Sequence, residues 1–222
     1  MFSKLKFWKP TESVAAIHAK AKGRDTSPAE GVSRPTSALK DFIQCITRKE
    51  NPCVLDIGPV VGSNIEFFMN YGIKIYMEDF LAAYAQPGYS VFEDGKLKTN
   101  EDEFFRDNFK YAPEFFDGLI CWDILSFLDP RFAKVFVEKV SPKLKSNAFV
   151  LVFFHTQQKG LVPVYKYRVA GDSILDYVPL GSEKPIQKVY QTRDVNQLFV
   201  DFESQKFYLL KHQILEVVLK KK

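Results

Sequence analysis

The residues best suited to chemistry begin at Asp56. It lies in a short apolar run, Val54-Leu55-Asp56-Ile57, and is followed by Gly58 and Gly62. A glycine lacks Cβ, so a ligand can approach the backbone there. Glu78 and Asp79 come next, with Glu78 lying 20 residues after Gly58. A carboxylate about that far beyond a glycine turn is where dinucleotide-binding sheets hold a ribose, because two acceptor oxygens can take both hydroxyls. Of the two, Glu78 is preferred because it comes first after its strand. His155 follows the apolar run 148–154. Its imidazole titrates in the range a general base needs, although a lone polar residue ending a strand is also a common structural feature.

These side chains need strands and helices to position them. Val54, Leu55 and Ile57 read as a buried parallel strand, and Gly58 breaks it. A helix is expected from Ser63, with Ile65, Phe68 and Met69 facing the sheet and Gly72 as its stop. Residues 73–77 read as the second strand. Before the first, Leu39, Phe42, Ile43 and Ile46 recur as one apolar stripe, a helix capped by Thr36 or Ser37. Later, Asp129 precedes Pro130 as a helix start, with Phe132, Val135, Phe136 and Val140 as the buried stripe. Residues 165–169 and 174–178 flank Ala170-Gly171-Asp172 and read as a β-hairpin rich in Tyr165, Tyr167, Arg168 and Tyr177. A helix over 193–202, capped by Thr192, is followed by two strands around Lys211-His212, where His212 reads as a turn residue. Between 80 and 116 the pattern is weak, with short helices near 82–84 and 100–108 and a strand near 89–93. Strand and helix alternate, which predicts a doubly wound α/β domain.

The stretch Val54-Leu55-Asp56-Ile57-Gly58 with Gly62 resembles the first motif of class I S-adenosylmethionine (SAM) dependent methyltransferases, usually acid-x-Gly-x-Gly-x-Gly. Val60 replaces the middle glycine, and Pro59 stiffens the loop by fixing φ. A second stretch, Phe116-Asp117-Gly118-Leu119-Ile120-Cys121-Trp122-Asp123, resembles the family's fourth-strand motif. The resemblance spans about residues 37–219. It implies a mostly parallel seven-stranded sheet with helices on both faces and a C-terminal antiparallel hairpin. It also implies SAM as cofactor and S-adenosylhomocysteine as product. Asp56, Gly58, Pro59 and Gly62 would hold the methionine end, and Glu78 or Asp79 the ribose. Asp123 would sit beside Asp56, and Trp122 or Asp123 would touch the cofactor or wall the acceptor pocket. No stretch matches the family's usual adenine-contacting acid.

Charge and composition narrow the partners. Residues 1–35 hold seven basic and three acidic residues, the whole of the net +4, so residues 36–222 are neutral. A neutral domain lacks a broad electrostatic footprint for nucleic acid and favours a small-molecule acceptor. No run approaches a membrane span. Three cysteines without Cys-x-x-Cys spacing suggest reduced thiols, a cytoplasmic setting and no cysteine metal site. The expected division is a basic, flexible segment over 1–35 and a methyltransferase-like domain over 36–222, with a hairpin insertion at 163–180. Phe2, Leu5, Phe7 and Trp8 among lysines suit an anionic membrane or a partner, though a flexible tail packing locally is the plainer reading. Val14 to His18 suggest a short helix. A homo-oligomer stays open.

Two functions compete. The first is a SAM-dependent methyltransferase, with Asp123 and His155 as candidate catalytic residues and no metal. The second, motivated by Pro59, Val60 and the missing adenine acid, is an inactive methyltransferase-fold module that binds a ligand or partner. An NAD-dependent oxidoreductase would need Gly-x-Gly-x-x-Gly, which Gly58-Pro-Val-Val-Gly62 does not supply.

Overall fold

The computed structural model describes residues 31–93, 96–157 and 160–222. The expectations for Phe2, Leu5, Phe7, Trp8 and residues 14–18 lie outside that range. Ten of the strands and helices build the central layer and its covers. They are α1 (Ala38–Ile46), β2 (Cys53–Asp56), α2 (Gly62–Asn70), β3 (Lys74–Met77), β6 (Phe116–Trp122), α5 (Pro130–Val140), β7 (Leu144–His155), α6 (Thr192–Leu198), β10 (Phe202–Leu209) and β11 (Ile214–Lys221). Their six strands form one sheet in the order β10-β11-β7-β6-β2-β3. The pairs β2·β3, β2·β6 and β6·β7 are parallel, while β11 runs antiparallel between β7 and β10. That order, with a reversed hairpin at one end, is the doubly wound, mostly parallel sheet with a C-terminal antiparallel hairpin that was expected.

The sheet has six described strands where seven were expected. After β3 the chain turns into α3 (Phe80–Tyr84) and then into a separate hairpin, β4 (Ser90–Glu93) and β5 (Lys96–Thr99), whose strands pair only with each other. α4 (Glu101–Asp107) follows, capped by the Asn100 side chain. A second sheet holds β1 (Val32–Pro35), β9 (Ile174–Pro185) and β8 (Leu161–Gly171), in the order β1-β9-β8. The hairpin is therefore longer than the 163–180 expected, and β1 adds a third strand to it, with Arg34 paired to Leu175.

Alternation along the strands divides the core into two layers. Leu55, Leu119, Cys121, Val150, Val152 and Phe154 face the side covered by α3, α4, α5 and α6. Val54, Ile120, Trp122, Leu151 and Phe153 face α1, α2 and the second sheet. The α1 stripe of Leu39, Phe42, Ile43 and Ile46 is buried as its spacing requires. Thr36, rather than Ser37, serves its start, since its hydroxyl accepts from Leu39 N while Ser37 makes no side-chain cap. α6 likewise starts on Gln191, whose capping box with Asp194 replaces the expected Thr192 cap.

Gly118 lets α1 lie close on the sheet. A Cβ there would stand 2.8 Å from Ile46 Cδ1 and 2.9 Å from Phe42 Cζ. Gly118→Val is expected to destabilise the domain by about 1–3 kcal/mol through overpacking, read as a lower urea midpoint with an unchanged m-value. An unchanged midpoint would mean that α1 moves away at no cost.

Candidate functional site at the carboxyl ends of β2 and β6

The chain leaves β2 towards β3 on one side, and β6 enters on the other. That makes the carboxyl ends of β2 and β6 the switch point, where open α/β sheets bind ligands. Asp56 ends β2 and is 1% exposed. Its Oδ1 accepts from Gly58 N at 2.8 Å and from Trp122 Nε1 at 2.8 Å. Its Oδ2 is buried with no partner among the described residues. Burial pushes this carboxyl up to about 7, against the two hydrogen bonds, which lower it.

The glycine turn is tighter than the sequence suggests. A Cβ on Gly58 would lie 2.5 Å from Trp122 Cδ1, so the indole packs directly on the turn. Trp122 itself has φ 46° beside a register shift between β6 and β7. A left-handed backbone at a bulky residue costs roughly 1–3 kcal/mol and tends to cluster at functional sites. Pro59 is half-buried and Val60 exposed. Gly62 is the first residue of α2, not part of the turn, and a Cβ there would meet nothing within 4 Å. Val61 gives α2 no side-chain cap. The first amides of the helix are thereby left for solvent or an anionic group.

The two candidate ribose acids separate. Asp79 accepts from Ala82 N and caps α3. Glu78 continues from β3, its N–H donating to Asp56 O at 2.8 Å, and its Oε1 accepts from the Tyr111 hydroxyl. Burial and the Glu78 carboxylate both push the Tyr111 hydroxyl well above the usual tyrosine range.

Asp123 and His155 end the neighbouring strands β6 and β7, and the fold brings them together. His155 Nε2 lies 3.0 Å from Asp123 Oδ2. A carboxylate only accepts, so Nε2 carries the proton, and in the neutral imidazole Nδ1 is then the nitrogen with the lone pair. Ser126 Oγ accepts from His155 N at 3.1 Å and fixes the strand end. The Asp123 side chain makes no cap hydrogen bond to the turn over Ile124–Phe127 that follows it.

Tyr167 of β8 joins the two halves. Its ring stacks on Trp122 with centroids 5.0 Å apart and planes 10° from parallel. Asn64 of α2 clamps the strand from below, donating to Tyr167 O and accepting from Val169 N, both at 2.8 Å. Tyr167 also lines a cleft of about 160 Å³, together with Arg34, His155, Tyr165, Tyr177, His212 and others. His212 is thus more than a turn residue, with Nε2 3.1 Å from the Tyr177 hydroxyl. Burial, reinforced by Arg34 and His155, pulls His212 down to about 4. Arg34, Tyr111 and Glu216 escape a reading of the sequence. Glu216 was the most detectable, as the one acid inside the apolar run of β11.

Among the described residues, no group of three or more His, Cys, Asp or Glu has metal-site geometry, and no helix is long and apolar enough to cross a membrane. No protein-family model matches the sequence, and no curated protein sequence matches it. Among solved structures, a SAM-dependent methyltransferase from Methanosarcina mazei aligns at 15% identity and TM-score 0.48, covering 78% of this chain and 93% of its own. One from Archaeoglobus fulgidus aligns at 14% identity and TM-score 0.49, covering 83% and 92%. The 1,6-didemethyltoxoflavin-N1-methyltransferase of Burkholderia thailandensis, with bound 1,6-didemethyltoxoflavin and S-adenosylhomocysteine, aligns at 13% identity and TM-score 0.47, covering 99% and 93%.

Proposed function

We propose that this methyltransferase-fold chain is a SAM-dependent methyltransferase acting on a small-molecule acceptor. The observation that carries the reading is the unpartnered, buried Oδ2 of Asp56 at the switch point, beside an uncapped α2 start. A buried polar atom without a partner is costly unless something completes it. These residues fit the cofactor at its methionine end. The Asp56 carboxyl would meet the ammonium, and the first α2 amides at Gly62 and Ser63 would meet the carboxylate. Glu78 fits the ribose, since Asp79 is spent as a cap. When bound, SAM supplies a methyl group on an electrophilic sulfonium. The chain contributes alignment, which is worth large effective molarities, and a base. His155 Nδ1, with Nε2 anchored on Asp123, would accept the acceptor's proton from the cleft side.

A second reading keeps support from Trp122. Its indole covers Gly58 and holds Asp56 Oδ1, as a plug would. An inactive module that binds a ligand or partner would retain such a plug permanently.

Calorimetric titration with S-adenosylhomocysteine, with NAD as control, tests both readings. The methyltransferase reading expects micromolar binding, roughly −8 kcal/mol, weakened at least tenfold by Glu78→Ala and absent for NAD. Val60→Gly at the exposed turn is expected to tighten binding about tenfold if Val60 narrows the site. No heat at millimolar ligand with folded protein would leave the inactive module as the function.

A further inference from the structure

The structure assigns to the cleft beside Tyr167 a ligand class, a small organic carboxylate held by Arg34. Arg34 lies on β1 and reaches the cleft wall, with its guanidinium carbon 5.3 Å from the centre of the Tyr177 ring. Its Nε is buried with no hydrogen-bond partner among the described residues. No salt bridge engages Arg34 among the described residues. The carboxylates of the surrounding strands are held by other residues. Asp176 takes Ser33 and Arg168. Glu216 Oε2 takes the Thr36 hydroxyl and Ala38 N, while its Oε1 is buried without a partner among the described residues and forms no ion pair with Arg34. Asp123 takes His155.

Arg34 is half-buried, but an N–H buried without an acceptor is costly, and a carboxylate matches the planar guanidinium fork with two parallel hydrogen bonds. The rest of the cleft selects against a bare inorganic anion. Tyr165, Tyr177, Val162, Pro163 and Ile214 offer rings and apolar surface for a carbon body. The volume of about 160 Å³ is below the roughly 300–1,000 Å³ of sites for drug-sized ligands, so the body is small. His155 lines the same cleft. As the identity of the methyl acceptor, this assignment rests on the methyltransferase reading; as an anion site, it stands without it.

The test is calorimetric titration of the full chain with benzoate, benzamide and inorganic phosphate, each with and without S-adenosylhomocysteine. Benzoate is expected to bind saturably. Benzamide, the neutral isostere, and phosphate should each bind at least tenfold more weakly. Arg34→Gln should weaken benzoate at least tenfold. Arg34→Lys, which keeps the charge without the fork, should weaken it severalfold and keeps the test open should the Gln variant fail to fold. Equal benzoate binding by Arg34→Gln, tighter binding of phosphate, or no saturable benzoate binding would each overturn the assignment. Binding of S-adenosylhomocysteine without benzoate would remove this inference alone. Binding of benzoate without S-adenosylhomocysteine would remove the methyltransferase reading and leave the anion site.

Discussion

Asp56→Asn flattens the pH dependence of stability. In the folded chain burial holds this carboxyl up to about 7, above its ordinary value of 3.8. The folded state therefore binds the proton more tightly than the unfolded state does. Stability from this group is fully present below about pH 4 and is lost as pH rises towards 7. Between pH 5 and pH 8 that loss amounts to roughly 3 kcal/mol, from two pH units at about 1.4 kcal/mol each. Asn keeps an acceptor for Gly58 N and Trp122 Nε1 and never ionises, so between pH 5 and pH 8 the variant should gain on the wild type by that amount. Glu216, also raised to about 7 by burial, adds a slope of the same sign to both proteins, so the difference between them isolates Asp56. Urea titrations at pH 5 and pH 8 measure it. Parallel profiles for the two proteins would show that Asp56 is ionised at little cost.

Trp122→Ala is expected to cost about 3–5 kcal/mol, the range for truncating a large buried aromatic. Trp122 is 2% exposed, stacks on Tyr167 and meets the Phe153 edge at 5.7 Å between centroids. Truncation also leaves Asp56 with Gly58 N alone. Trp122→Phe, which keeps a ring but no N–H donor, should cost about 1–3 kcal/mol, much of it the penalty for a buried acceptor losing a partner. Chemical denaturation at pH 7 reads both. A loss below 1 kcal/mol for the alanine variant would mean the hairpin collapses onto the turn and fills the gap.

Local signals made the strand-turn-helix around Asp56 legible. An apolar run, a glycine and a helix-period stretch occupy twenty consecutive residues, and each reports on its own neighbours. Asp123 and His155 were each visible as polar residues ending apolar strands. Their pairing follows only once β6 and β7 are known to be parallel neighbours. That the described sheet has six strands, with a separate hairpin following β3, was illegible because residues 80–116 carry little periodicity. The cleft was hidden for another reason: Arg34 sits in a stretch whose composition resembles a loose tail. Its partner strand β9 lies about 140 residues away, and no local pattern reports pairing at that distance. The hydrogen bonds of Asn64 to β8 are hidden in the same way, since an Asn early in a helix reads as solvated.

The position of β11 inside the sheet has a consequence for synthesis. β7 carries Phe149-Val150-Leu151-Val152-Phe153-Phe154, and the strand pairing with its outer edge begins only at Ile214. At ribosomal rates of about 5–20 residues per second, that edge stays uncovered for roughly 3–12 s after it is made. An apolar, uncharged six-residue strand with an open edge is a template for intermolecular pairing. The nascent chain is thus most exposed to aggregation in that interval, and slowing translation between codons 155 and 214 should lower soluble yield more than slowing it elsewhere.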